Sequence, residues 1–451
     1  MRTPVLLYAL ALAVRAALIV AYPDPGYTDA FYYVDAARAI HSGQGVNVDF
    51  IWIFAEVGGT VPADPALPIP AFGHWMPLAT IVQLPFLAVF GPVAWASAAP
   101  FALIGALAAP LTWAIAREAG ARPAVAVAAG LLTAIPALST AFMAQPDNFS
   151  LFQPLVAGAL WMTARGLKGS GRSFVLGGLL AGLATLSRTD GLLILGVLVL
   201  AVIWDRVRGR RAIPWAAVGS AAAAFVFVMA PWWLRQLAEF GTLSPAMASG
   251  KVLFIREIGE WDSVATRATL EHLLGMGVGP LVASRIGGFL AAVLIFSTLV
   301  GGLILAPFMV LGALARRRSV DFGPFLVYAL VLFAFSAIVS AVHVPGGTFI
   351  HSAVALAPHG YVLALEGIAI AVTWLVSRRR TTDADRAVRR TFAAVLGVLA
   401  AGAGLSAASV HGSWAAQRDD YRAVDAALDT AGAPETDRVM SIDAAGTRYW
   451  T

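Results

Sequence analysis

Two aspartates that follow the first apolar stretch of the chain are the residues best suited to acid–base chemistry. The segment DPGYTDAFYYVDAAR, residues 24–38, places Asp29 and Asp35 in a short predicted helix over about 30–42. A carboxylate that aromatic rings shield from water has a raised pKa and can take a proton from a hydroxyl group. Asp29 is therefore the candidate general base, although a helix-capping role would also explain it. Asp35 is expected on the water-facing side of the same helix.

A second charged group interrupts a long apolar run. The segment LSRTDGLL places Arg188 and Asp190 in the middle of residues 174–204. Two helices of about 14 residues are each about 21 Å long, shorter than the roughly 30 Å hydrocarbon layer, so the turn between them should lie below the membrane surface. Charges at that depth face a cavity or a partner. Arg188 either faces a cavity, where a guanidinium is suited to bind phosphate oxygens, or pairs with Asp190.

Other polar residues near the predicted helix ends are weaker candidates. Arg235 follows PWWL and is suited either to a substrate phosphate or to lipid headgroups. Asp147 either caps the helix that follows it or orients a substrate or a basic group in the cavity. Lys251 lies in a long loop, and His351 follows the glycine-rich VPGGTFI segment, where it could contact sugar or phosphate. His74, His343 and His351 are too scattered to indicate a metal site, so no metal or other cofactor is predicted.

Composition places these residues in a membrane protein. Of 451 residues, 59% are hydrophobic and only 13% are charged, and the mean hydropathy is +0.77. Soluble domains carry about 25% charged residues. The net charge of +5 does not indicate nucleic-acid binding, because the basic residues lie in short loops between apolar segments. The absence of cysteine excludes a disulfide framework. The fold class is therefore an all-α polytopic membrane protein that contacts membrane lipids.

Apolar segments predict about 11 transmembrane helices. The segment 76–92 is too short and interrupted to span, and placing it in the membrane interface keeps the basic loops on the cytoplasmic side. The N-terminus is then cytoplasmic, in a plasma (inner) membrane, and the first helix is an uncleaved anchor. The predicted spans are residues 4–22, 96–116, 123–143, 148–164, 174–187, 191–204, 213–234, 287–314, 323–342, 352–376 and 391–410.

This topology predicts a membrane domain over residues 1–410 with two long outer loops, 23–95 and 235–286. Long loops with helices of their own are usually functional. The remaining segment, 411–451, reads as an amphipathic helix followed by a strand, DRVMSID. One strand is not a sheet. We therefore expect the start of a small extracytoplasmic α/β segment, either truncated or a remnant of a larger domain.

The order of the motifs resembles the GT-C glycosyltransferases, and more narrowly their protein O-mannosyltransferase and aminoarabinose-transferase branch. The resemblance covers residues 1 to about 376. It begins with the acid before FYYVDAARAIHSGQGV and continues through HWMPLATIVQLPFLAVFG, AQPDNFSLFQPLVAGAL, GLLAGLATLSRTDGLLIL and APWWLRQLAEFGTLSP. Where many members of that branch have a Lys-Pro-Pro segment, this chain has His74-Trp75-Met76-Pro77.

The resemblance implies transfer of a sugar from a polyprenyl-phosphate donor on the extracytoplasmic side. The catalytic acid of the family corresponds to Asp29 and its second acid to Asp147. The proposed donor-phosphate and substrate-binding residues are His74, Arg188, Asp190, Arg235, Lys251 and His351. A single displacement would invert the anomeric carbon. The acceptor, whether glycan, lipid or protein, is left open by the sequence.

Two other classes of protein share some of these features. A transporter or flippase would show paired broken helices in two halves of the chain, and only one such break is visible, at 187–190. A polymerase or ligase that acts on polyprenyl-diphosphate glycans would need a denser cluster of basic residues on the outer face. Both remain alternatives to the transferase.

Overall fold

In the computed structural model, nearly all regular structure is α-helical. The structure describes residues 2–52, 66–209, 213, 215–243, 253–261, 263, 266–342, 348–379, 383–434 and 439–451. The first helices are α1 Arg2–Ala21, α2 Thr28–His41, α3 Leu78–Ile81, α4 Leu84–Phe90, α5 Ala94–Ala106, α6 Ala108–Glu118, α7 Pro123–Ala134, α8 Phe149–Leu167, α9 Gly171–Ser187 and α10 Leu192–Val207. The later ones are α11 Trp215–Phe240, α12 Leu270–Leu274, α13 Val278–Ile295, α14 Ala306–Arg316, α15 Gly323–Ile338, α16 Thr348–Ala353, α17 Ala357–Arg379, α18 Ala384–Ala431 and α19 Ala444–Trp450.

The helices confirm a polytopic membrane protein. Within the described residues, six helical segments are long and apolar enough to cross a membrane, and a seventh if α7 and the bent 3-10 helix Ala137–Ala144 form one span. Shorter apolar helices lie between them, among them α9 and α15. The predicted count of 11 is not confirmed. The predicted span 287–314 is wrong in its bounds, because a helix already begins at Val278 and Leu303, with φ of 65°, interrupts the run before α14.

The break predicted near residue 188 is present. α9 ends at Ser187, Arg188 takes an extended conformation, and α10 begins at Leu192. A Cβ at Gly191 would lie 2.4 Å from the backbone nitrogen of Thr185, so only glycine allows the two helix ends to approach this closely. The turn leaves the Arg188 side chain at the junction of two helices of 17 and 16 residues, each longer than the predicted length. The depth of this turn below the membrane surface stays a prediction.

The described parts of loop 23–95, which the sequence predicts to be the first outer loop, pack around α2. Strands β1 Asn47–Val48 and β2 Ile69–Pro70 pair antiparallel, with Asn47 opposite Pro70. The short helices α3 and α4 follow in the segment predicted to lie along the membrane. Together they cover about 20 Å at 1.5 Å per residue, less than a bilayer requires. Thr80 Oγ1 and Gln83 Nε2 both donate to the backbone oxygen of Tyr33, which fixes α3 against α2.

The C-terminal region differs from the predicted α/β segment. A single helix, α18, continues from Ala384 to Ala431, about 72 Å at 1.5 Å per residue, because no proline interrupts it before Gly432, which has φ of 68°. The expected strand does not form in its described part, residues 439–443. Instead α19 packs on α2, with the ring of Tyr449 5.3 Å from that of Phe31. The C-terminal segment therefore supports the helix that carries Asp29.

Candidate active site

A cavity of about 650 Å³ lies where α2, the α9–α10 turn and α16 meet. One wall comes from the outer loops and includes Trp52, His74, Trp75 and Trp261. Another is apolar and comes from the membrane helices α10 and α15. The polar residues at the junction are Thr28, Asp29, Asn148, Ser187, Arg188, Thr189, Asp190, His351 and Ser352. Pockets of this kind, mostly apolar with a few convergent polar groups, are the usual form of small-molecule sites.

Asp29 lies in the first turn of α2 and opens to this cavity. The helix begins about two residues earlier than the sequence predicts, at Thr28, and no side chain caps its N-terminus. Asp29 is therefore not the cap. Its side chain keeps 24% of its surface exposed, and Oδ2 lies 3.8 Å from Nδ1 of His351. Burial raises the pKa of Asp29 to about 6, and this rise is reduced by the Arg188 charge and a hydrogen bond with the Trp75 side chain.

Asp147 lies behind Asp29 and is completely buried. It accepts hydrogen bonds from the hydroxyl of Tyr27 at 2.8 Å and from the backbone nitrogen of Asn148 at 2.5 Å. Burial raises the pKa of Asp147 to about 7, and the neighbouring charge of Asp29 contributes to the rise. Asp147 is not among the described residues that line the cavity, and its Oδ2 lies 3.7 Å from Nε2 of His351. This position agrees with the alternative that Asp147 orients a basic group, and its predicted catalytic role stays a prediction.

Arg188 is the only arginine or lysine among the described residues that line the cavity. Its Nε atom donates to Oδ1 of Asp190 at 2.9 Å, and Nη1 lies 2.8 Å from Nδ1 of His351. Nη2 makes only long contacts, 3.4 Å each, with the Thr348 carbonyl and the Ser352 hydroxyl. Arg188 thus both pairs with Asp190 and faces the cavity, so the two predicted alternatives occur together.

His351, in α16, connects the two carboxylates and the guanidinium. Its Nε2 atom lies 3.7 Å from Oδ2 of Asp147, on the ring side opposite Arg188. The edge of its ring packs on Phe149 at 4.2 Å. The expectation that His351 belongs to the site therefore agrees with its location.

Asp29, Asp147 and His351 also form the one group among the described residues that could hold a metal ion, with ligand atoms within 4.8 Å of one another. Some atoms of this group already take part in hydrogen bonds. Asp147 accepts from Tyr27 and Asn148, and Nδ1 of His351 accepts from the permanently charged Arg188. A cation at this position would meet an adjacent guanidinium.

Of the remaining predicted site residues, some line the cavity and others do not. His74 lines the cavity, and burial together with the Arg188 charge lowers its pKa to about 4, so it is neutral there. Arg235 does not line the cavity. It donates to the backbone oxygen of Ala71 at 2.9 Å and lies over the ring of Trp232, because the outer loop folds back onto α11. Its role is to fasten that loop. Lys251 and His343 lie outside the described residues.

Sequence reasoning missed most of the aromatic wall. Trp52 and Trp75 stack with ring centroids 4.6 Å apart, and Trp261 lies 6.2 Å from Trp52. Trp75 was visible in the HWMP segment, but nothing in the sequence links it to Trp52 or to Trp261 in the second outer loop. The structure also corrects the predicted exposure of Asp35. It is not water-facing: its Oδ2 is buried, and burial raises its pKa to about 8.

Known proteins with a similar sequence or structure share the helical membrane fold described above. Residues 74–233 match the family model described as dolichyl-phosphate-mannose-protein mannosyltransferase. ArnT from Cupriavidus metallidurans, solved with bound undecaprenyl phosphate, is similar over 99% of this chain and 84% of its own, with a TM-score of 0.59 and 17% identity. The chain has the GT-C fold. No curated protein matches the sequence.

A second GT-C structure is similar over less of its length. The archaeal oligosaccharyltransferase AglB from Archaeoglobus fulgidus, in complex with an inhibitory peptide and a dolichol-phosphate, matches 90% of this chain with a TM-score of 0.56 and 15% identity. This chain spans only 56% of AglB. The resemblance to GT-C glycosyltransferases that the sequence motifs indicate is confirmed, and the shared part is the helical membrane domain.

Proposed function

We propose that the protein is a membrane glycosyltransferase that moves a sugar from a polyprenyl-phosphate donor to an acceptor hydroxyl on the extracytoplasmic face. The observation that carries the proposal is that one cavity holds a carboxylate with a raised pKa, Asp29, and a guanidinium, Arg188, beside apolar helix surfaces. The polyprenyl-phosphate ligands of ArnT and AglB support the choice of donor, which is otherwise an extension from fold.

The donor phosphate is assigned to Arg188. Guanidinium groups bind phosphate oxygens through parallel hydrogen bonds, and the long contacts of Nη2 can be exchanged for such bonds. The prenyl chain would leave the cavity along Leu192 and Leu193 of α10 and Leu332 and Phe335 of α15, all of which line it. This places the phosphate between the lipid and the carboxylate.

The transfer is a single displacement. The acceptor oxygen attacks the anomeric carbon, its proton passes to Asp29, and the bond from that carbon to the phosphate oxygen breaks. Polyprenyl phosphate leaves with the electron pair and is stabilised by Arg188. A retaining mechanism would need a second carboxylate that forms a covalent bond with the anomeric carbon. Asp147 is near Asp29, but it has no exposed surface from which to attack. Inversion at the anomeric carbon follows from this proposal.

No step requires a metal ion, and Arg188 supplies the positive charge. A polyprenyl-diphosphate polymerase or ligase would carry more charge at the same place. The described cavity wall holds a single arginine, which favours a monophosphate. A transporter would not need a carboxylate poised for proton transfer beside the phosphate site.

The test is sugar transfer by purified protein in nanodiscs, with radiolabelled polyprenyl-phosphate sugars and a cell-envelope acceptor extract. Asp29→Asn keeps the size of the side chain and removes its basicity, so transfer should fall by about 10²- to 10⁴-fold. The matched control is Asp35→Asn, on the same helix but outside the cavity lining, which should retain activity. Equal transfer by Asp29→Asn and wild type at equal protein level would reject Asp29 as the base.

A further inference from the structure

Three tryptophans and a histidine form an aromatic wall of the cavity. Trp52 stacks on Trp75 at 4.6 Å with an interplanar angle of 27°, and Trp261 adds a third indole 6.2 Å from Trp52. The imidazole of His74 meets both Trp52 and Trp75 edge-on, at 6.1 and 5.2 Å. All four side chains line the same cavity as Asp29. They come from the first and second outer loops, which are far apart in sequence.

Tryptophans near a membrane often form an interfacial belt that faces lipid headgroups. These three instead face one another and the cavity. Trp75 is almost completely buried, at 6% exposure, and lies on Tyr32 with ring centroids 4.1 Å apart. Trp52 and Trp261 are only half-buried. The result is a rigid aromatic column whose outer members keep surface open to a ligand.

We propose that this wall binds a pyranose ring of the acceptor, so that the acceptor is a carbohydrate. The hydrogen-bearing face of a pyranose is apolar and slightly positive, and it complements the negative face of an indole ring. The hydroxyl groups at the rim of the ring would then point to polar groups of the cavity, which include Thr28, Asp29 and His74. This inference rests on the proposed transferase function.

The position of the wall assigns it to the acceptor rather than to the donor. Trp75 hydrogen-bonds with Asp29, the residue that receives the acceptor proton. The hydrogen bonds of Arg188, which holds the donor phosphate, are with Asp190 and with residues of α16, although burial and the Arg188 charge together lower the pKa of His74 in the wall. In a single displacement the acceptor oxygen and the leaving phosphate lie on opposite sides of the anomeric carbon. The group on the Asp29 side is therefore the acceptor.

A peptide acceptor fits this wall less well. Extended peptides are commonly held by backbone hydrogen bonds to a sheet edge. The two-stranded sheet of the described chain, Asn47–Val48 with Ile69–Pro70, does not line the cavity. Stacked indoles offer an apolar face and few hydrogen-bond donors or acceptors. Such a surface suits a sugar ring, but it cannot satisfy the hydrogen bonds of a peptide backbone.

The experiment is ligand binding in nanodiscs, followed by saturation-transfer NMR. The probes are maltose, cellobiose, α-1,6-mannobiose and β-1,4-galactobiose, with a serine- and threonine-containing octapeptide for comparison. At least one disaccharide should bind wild type, and its affinity should fall roughly three- to tenfold in Trp52→Leu and in Trp261→Leu. The matched control is Trp204→Leu, an exposed tryptophan of α10 outside the cavity lining, which should bind as wild type does.

Binding of a fluorescent polyprenyl phosphate, measured in parallel, separates this inference from the proposed function. It should be unchanged in all three tryptophan variants and weakened in Arg188→Ala. If wild type does not bind it, the proposed function fails. If wild type binds it but binds no disaccharide, or if the octapeptide alone binds in a tryptophan-dependent way, the carbohydrate acceptor is rejected. If the Trp52 and Trp261 variants lower the affinity for a polyprenyl-phosphate sugar more than the affinity for polyprenyl phosphate, the wall holds the donor sugar instead.

Discussion

Arg188 and His351 are joined by a contact of 2.8 Å between Nη1 and Nδ1, although 163 residues separate them in the chain. A guanidinium only donates hydrogen bonds, so Nδ1 of His351 must accept and its ring proton must lie on Nε2. Nε2 in turn faces Oδ2 of Asp147 at 3.7 Å. Arg188 therefore sets the tautomer of the histidine that lies between the two carboxylates.

Arg188→Lys should weaken the use of the donor. Lysine keeps one positive charge but cannot hold Asp190, His351 and a phosphate at once, because its ammonium lacks the planar fork. The KM for polyprenyl-phosphate sugar should rise about 10- to 100-fold, the cost of a lost charged hydrogen bond, while the acceptor KM is unchanged. Arg172→Lys, exposed at the other end of α9, is the matched control. A rise in the acceptor KM alone would argue against phosphate binding by Arg188.

Activity should depend on pH through the carboxylate pair. Burial raises the pKa of Asp29 to about 6, and a general base works only when it has lost its proton. The kcat/KM should therefore increase with pH up to about 6 to 7 and then level off. The donor phosphodiester is ionised over this whole range, so it does not produce the change.

Asp147→Asn tests which carboxylate sets this pH dependence. Burial raises the pKa of Asp147 to about 7, above that of Asp29, and the charge of Asp29 contributes to that rise. Asp147 is therefore mostly protonated where Asp29 loses its proton, and its replacement by Asn should leave the rise in kcat/KM near pH 6. The same profile measured on this variant checks this, and a rise displaced by about one pH unit would show that a charge on Asp147 sets the pKa of Asp29.

Chelation should leave activity intact. Both carboxylate oxygens of Asp147 and Nδ1 of His351 are already hydrogen-bonded, and Arg188 provides a fixed cation next to them. After dialysis against EDTA, transfer should remain within about twofold of the untreated rate. Loss of transfer that added Mg²⁺ or Mn²⁺ restores would contradict the metal-free mechanism and would assign the Asp29, Asp147 and His351 group to the ion.

Leu193→Trp should obstruct the path of the prenyl chain. Leu193 lines the cavity on α10, where a larger side chain would occupy the space between the phosphate site and the lipid. The KM for a long-chain donor should rise, whereas a donor with a chain of two isoprene units should be little affected. Leu200→Trp, exposed on the same helix, is the control. Equal sensitivity of both donors would place the prenyl chain elsewhere.

The sequence by itself determined the class of the protein and the local events along the chain. Hydropathy identified a polytopic membrane protein, because transfer from water to lipid depends on the composition of each segment. The break between α9 and α10 was predictable for the same reason, since Arg188, Thr189 and Asp190 interrupt one apolar run. The motif order also indicated the GT-C resemblance and drew attention to Asp29.

Only the tertiary structure decided which polar residues meet at the site. Asp29, Asp147, Arg188 and His351 meet through the packing of four separate chain segments, and no local pattern records that packing. For the same reason, Asp147 proved to be buried and Arg235 proved to fasten a loop. The tryptophan wall formed where two outer loops approach each other. Burial and distance between remote segments fix the acid–base properties of a side chain, so its role is set by the fold.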